Sequence, residues 1–154
     1  MWVQEMQESG TLWIEYDKRG LVVDQKVVLI GYPLDGGDPV EIARAIIGIY
    51  KEIQNNEGIV PYSPEFLFLP ICSLKEAEWQ RRIAVARRLG LCRGFFEELW
   101  LFGDHLTQEM KEEIIIGVTM GIPVVAMTDG TKEGMVACIK EYQDNRPPPG
   151  TRIH

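Results

Sequence analysis

The sequence predicts an α/β fold in which helices cover both faces of a mostly parallel sheet. Three observations carry this. Short β-branched runs alternate with helix-period segments from about residue 27 onward. The segments between the runs open on helix-starting residues and close on glycine. The chain has 154 residues, 45% of them apolar and 25% charged, the balance of one globular domain.

Val27 to Tyr32 (VVLIGY) reads as a buried strand ending in Gly31-Tyr32-Pro33, and Leu34-Asp35-Gly36-Gly37 follows as a tight turn. Asp38-Pro39-Val40-Glu41 supplies an N-cap, proline at N1 and glutamate at N3. The helix it opens carries Ile42, Ile46, Ile49 and Ile53 on one face and stops by Gly58. Ile59 to Pro64 is a second strand, followed by an apolar loop through Ile71. Ser73 caps a helix whose Trp79, Ile83, Ala86 and Gly90 share a face, with Arg81, Arg82, Arg87 and Arg88 on a solvated side. Leu99 to Gly103 is a third strand, Thr107 to Gly121 a third helix, Ile122 to Met127 a fourth strand, and Lys132 to Tyr142 a last helix.

With the order of a flavodoxin/Rossmann-like three-layer sandwich, these form one domain over residues 27–145. Residues 1–26 read as an N-terminal β-hairpin addition, and 146–154, with three prolines, as a loosely attached tail.

Acidic residues outnumber basic ones 23 to 16, for a formal net charge of −7. A surface that acidic repels phosphate backbones, so no nucleic-acid polymer is expected as partner. Cys72, Cys92 and Cys138 form no C-x-x-C pair and have only His105 and His154 beside them, so neither zinc nor a disulfide framework is expected. The N-terminus lacks a signal-peptide pattern, and no run approaches the 18 or so apolar residues of a membrane span. A cytoplasmic protein without membrane attachment is the expectation.

In open parallel sheets ligands sit beyond the carboxyl ends of the strands, where the winding reverses. That places a site between the loops Gly31 to Asp38 and Gly103 to Thr107. The first loop brings Tyr32, Asp35 and glycines that let backbone amides approach a ligand. In the third helix, Met110, Ile114, Gly117, Val118 and Gly121 share a face, with Glu112 opposite in solvent. Glu113 falls at the edge of the buried face, where a carboxylate two turns inside the helix can aim at a ligand. Ile115 and Ile116 lie away from the core stripe, which points to a subunit interface and a homodimer or higher homo-oligomer.

The order of strands and motifs resembles the nucleoside 2-deoxyribosyltransferase-like superfamily, in particular a small branch found in bacteria and their viruses. The resemblance covers about residues 27–128. It rests on Val27 to Pro33, Gly58 to Pro64, Glu98 to Asp104, Thr107 to Ile114 and Gly121-Ile122-Pro123-Val124. The signature of that superfamily is Ser or Thr, then six residues later a glutamate before Leu or Ile, then a small residue and G-x-P. Thr107 and Glu113 keep that spacing.

The resemblance implies that Glu113 is the nucleophile on C1′ of a 2′-deoxyribonucleoside or nucleotide, expelling the base as a retaining glycosidase would. It implies that Tyr32 touches the sugar or positions Glu113, and that Thr107 holds the 5′ end of the sugar. Ser63 and Glu65 would line the base pocket, with Gly31, Pro33, Asp35, Asp104, Glu109 and Met110 around the substrate. No cofactor and no metal is implied.

Residues 79–93 contain no acid where the enzymes carry an aspartate, and Glu109 stands where monophosphate-cleaving members have glycine. A noncatalytic nucleotide-like ligand binder, sensing or sequestering, is therefore the alternative to N-glycosidic cleavage or deoxyribosyl transfer. A second anion beside Glu109 also favours a nucleoside over a simple 5′-monophosphate.

Overall fold

The computed structural model describes residues 25–146, apart from 36–37, 54, 57 and 65–75. The expected hairpin in residues 1–24, the loop containing Glu65 and the tail beyond Arg146 lie outside the described residues. Strands and helices alternate as β1 (Lys26–Gly31), α1 (Pro39–Ile53), β2 (Ile59–Tyr62), α2 (Glu76–Cys92), β3 (Glu98–Leu101), α3 (Gln108–Thr119), β4 (Val124–Ala126) and α4 (Asp129–Asp144).

The four strands form one all-parallel sheet in the order β2-β1-β3-β4. β1 is central and its residues 28–31 are buried, as the uninterrupted apolar run requires of a strand covered on both faces. Side chains alternate between the faces. Val28, Ile30 and Phe102 meet Ile49 of α1 on one side. Leu29, Leu99 and Leu101 meet Leu91 of α2 and Met110 and Ile114 of α3 on the other, where Met135, Cys138 and Ile139 of α4 continue the layer. Each fully buried leucine or isoleucine contributes about 1.5–3 kcal/mol to holding these layers together. The fold is thus the flavodoxin/Rossmann-like three-layer sandwich.

The sequence placed the helices correctly and some of their ends imperfectly. α1 stops at Ile53, five residues short of Gly58. α4 starts at Asp129 rather than Lys132, because Thr128 already serves as N-cap and Thr131, fully buried, hydrogen-bonds back to the Thr128 and Leu101 carbonyls. α3 ends as expected. Gly121 has φ +73°, its N–H reaches the Val118 carbonyl, and the Ile122 N–H reaches Gly117 at 2.8 Å. This is the glycine-terminated Schellman arrangement.

Ile116 is packed against the buried core cluster, and Ile115 lines a groove between α3 and α4. Both side chains are half-buried.

Candidate functional site

The strand order reverses between β1 and β3, and the crevice lies beyond their carboxyl ends, as expected for this topology. Its mouth is held by close packing. Gly103 has φ +105°, and a Cβ placed on it would stand 2.5 Å from Pro33 Cδ. Only glycine tolerates both that backbone and that approach. The Thr128 hydroxyl donates to the Gly103 carbonyl at 2.6 Å and ties this loop to the start of α4.

On this frame sits a cavity of about 340 Å³, lined by Leu34 and Asp35 after β1, by Arg81, Ala84, Val85, Arg87 and Arg88 of α2, and by Glu109 and Glu113 of α3. At its base Glu113, 2% exposed, meets Arg87, 3% exposed. Arg87 donates from Nε to Oε1 at 2.5 Å and from Nη2 to Oε2 at 2.9 Å. Both carboxylate oxygens are therefore engaged by one planar fork, the strong bidentate form of a charge-assisted pair. Next to this pair in the chain, half-exposed Glu112 pairs with Arg88 rather than pointing freely into solvent. The arginine-rich side of α2 is thus not simply solvated: it faces α3 and forms one wall of the crevice.

The sequence singled out Glu113 but missed Arg87. The signal was present, because Ile83, Arg87, Gly90 and Leu91 fall at i, i+4, i+7 and i+8 and all four are buried. An arginine on the apolar stripe of one helix called for a carboxylate at the edge of the stripe on its neighbour.

Beside the first cavity, and sharing Asp35 with it, is a smaller one of about 170 Å³ lined by Tyr32, Pro33, Glu41, Ile42, Asp104 and His105. His105 bridges the two loops. Its Nδ1–H donates to Asp104 at 2.6 Å and its Nε2–H to the two Asp35 oxygens at 2.9 and 3.0 Å. The bonds to Asp104 and then Asp35 raise the His105 pKa above its ordinary value, and the bond from His105 lowers that of Asp104. Among the described residues, no group of three or more His, Cys, Asp or Glu is arranged to hold a metal ion.

The remaining expected residues divide. Asp35 and Glu109 line the main cavity and Tyr32, Pro33 and Asp104 the smaller one. Glu113 is held by Arg87, not by Tyr32. The Thr107 Oγ1 accepts from the Met110 N–H at 3.1 Å, so its oxygen caps α3. Met110 and Gly31 are buried and line neither of these two cavities. Ser63 is buried, and its hydroxyl has no hydrogen-bond partner among the described residues. Glu65 lies outside the described residues.

A third hollow, about 500 Å³, runs between α3 and α4 and includes Cys138. Burial raises the Cys138 pKa, only partly opposed by Lys111, so this thiol is not an activated nucleophile. No helix among the described residues is long and apolar enough to cross a membrane. Protein-family models, curated proteins and solved structures were all compared with this chain, and none matches it.

Proposed function

We propose that the protein binds a nucleoside or nucleotide-like small molecule in the crevice between β1 and β3, as a sensing or sequestering protein of the cytoplasm. The observation that carries this is the 340 Å³ cavity at the switch point, whose walls combine carboxylates and arginines with the apolar step of Ala84 and Val85. That size and mixed lining suit a small polar metabolite. Asp35 and Glu109 can accept from sugar hydroxyls, and arginine planes can stack on a base or meet a phosphate. The resemblance to nucleoside 2-deoxyribosyltransferase-like proteins, through Thr107 and Glu113, supports the same ligand class.

Binding without chemistry is preferred because Arg87 engages both oxygens of Glu113. A nucleophilic carboxylate must direct a lone pair at C1′, and two hydrogen bonds from a guanidinium reduce its electron-donating power. The second reading, N-glycosidic cleavage or deoxyribosyl transfer, is favoured by one observation: Glu113 lines the cavity and is not lost in the core. In that reading the Glu113 carboxylate bonds to C1′, the base leaves with the electrons of the glycosidic bond, and water or a second base resolves the ester.

One experiment separates the two. Wild type is titrated with deoxynucleosides and their monophosphates by calorimetry, and each mixture is assayed for free base. Saturable binding without release of base is expected. Catalytic release that disappears in Glu113→Gln, in a sample shown by circular dichroism to be folded, would establish the second reading, and the absence of both binding and release would refute the ligand class.

A further inference from the structure

We infer that the α2 wall of the crevice is an anion subsite in which Arg81 and Arg88 hold a phosphate group of the ligand, so that the preferred ligand is a nucleotide. The inference rests on the proposed crevice reading and makes it more specific.

Half of the residues from 81 to 88 are arginine in a chain whose net charge is −7, so positive charge is concentrated on one wall against the sign of the whole molecule. The arginines do not play equal parts. Arg87 is committed to Glu113 at the base. Arg81 and Arg88 bracket Ala84 and Val85 on a single helical stripe, spaced i, i+3, i+4 and i+7, and all four line the cavity. Two turns separate the arginines, about 10 Å along the axis, with only a methyl and an isopropyl group between. A flat apolar body fits over that step while an anion meets the guanidinium groups.

The second observation is an unmet donor. Arg88 gives its Nη2 to Glu112, yet its Nε is buried and has no hydrogen-bond partner among the described residues. A buried N–H left unpaired is costly, and in a native structure it calls for an acceptor. A phosphate oxygen entering from the cavity supplies one, in the forked geometry that arginine and phosphate favour. Arg81 is exposed and makes no ion pair among the described residues, so it is available to the same anion. Asp35 and Glu109 also face this cavity. Asp35 is bonded to His105, which leaves Glu109 as the carboxylate opposing the anion. The arginine wall thus removes the ground on which the sequence favoured a nucleoside over its monophosphate.

The test is calorimetry at two salt concentrations with matched nucleosides, their 5′-monophosphates and diphosphates, and inorganic pyrophosphate. Wild type is expected to bind a phosphorylated form at least tenfold more tightly than its nucleoside, with the advantage shrinking at high salt. Arg81→Gln and Arg88→Lys, the latter keeping the charge but lacking Nε, should each reduce that advantage several-fold. Arg44→Gln, on α1 away from the cavity, should change neither. Equal affinity for nucleoside and nucleotide, or an advantage intact in both variants, would overturn the subsite while leaving the crevice reading in place. Binding of pyrophosphate alone would support the subsite and overturn the nucleoside reading. No binding of any probe would overturn both.

Discussion

At Glu113 and Arg87, the pairing decides what a substitution does. Removing one partner of a buried ion pair leaves the other charge uncompensated and costs about 3–5 kcal/mol, whereas an exposed pair is worth ~0–1 kcal/mol. Glu113→Gln is therefore not a silent probe of chemistry. It should lower the melting temperature by roughly 6–20 °C in a domain of this size, while Glu112→Gln, whose partner Arg88 is half exposed, should shift it little. Arg87→Met combined with Glu113→Leu should recover much of the loss, and scanning calorimetry on the three variants and wild type would show it. His105 gives a pH dependence of opposite sense to its neighbour. Its folded pKa is raised above the ordinary 6.5, so its stabilisation is full below that value and fades as pH rises through the folded pKa. The Asp104 pKa is lowered, so its contribution is present above the ordinary 3.8 and is lost as pH falls through the folded value. The clasp is strongest between those two limits. Proton NMR titration of the chain's two histidines, His105 and His154, should show the His105 resonance moving above 6.5 in wild type and back toward it in Asp104→Asn. An unshifted His105 in wild type would refute the clasp.

Among the elements, α3 carries the most readable consequences. Thr107→Ala removes the side-chain acceptor at its start and should cost about 1 kcal/mol, while Thr107→Ser should cost much less; urea denaturation distinguishes them. Ile116→Glu should destabilise the fold by several kcal/mol, because Ile116 packs on the core, and loss of stability without any change in oligomeric state by light scattering is the expected result. This helix also shows how far the sequence could be read. Its N-cap, its glycine stop and the inward bias of Glu113 follow from 3.6-residue periodicity and cap chemistry, which are local. The identity of the group facing Glu113 depends on how α2 lies against α3, and that is set by packing between side chains 26 residues apart in the chain. The fold was legible because β-branched runs and caps recur at every step. The site was legible only as a place, the loops after β1 and β3, and as single residues such as Asp35, Glu109 and Glu113. Glu112 illustrates the limit: its helical angle puts it opposite the core, but that direction holds Arg88 as well as water.

At the scale of the molecule, the topology of the described residues puts one helix on the first face of the sheet and three on the second, with the crevice where the two windings part. Both walls hang on that parting, and Pro33 against Gly103 is where they touch. Gly103→Ala forces a side chain into a φ of +105° and a methyl to within 2.5 Å of the proline ring. It should destabilise by roughly 1–3 kcal/mol and weaken ligand binding, although Gly103 lines neither cavity; denaturation and calorimetry on the same variant would measure both. The touch between Pro33 and Gly103 behaves as the stop on a caliper. The jaws that would grip a ligand, Leu34 and Asp35 after β1 on one side and the start of α3 on the other, are carried by loops whose closest approach is fixed by a single absent methyl group. Aperture and chemistry are thus set by different residues, so a descendant of this chain can change what fits the crevice by altering the stop, and leave every arginine and carboxylate inside it untouched.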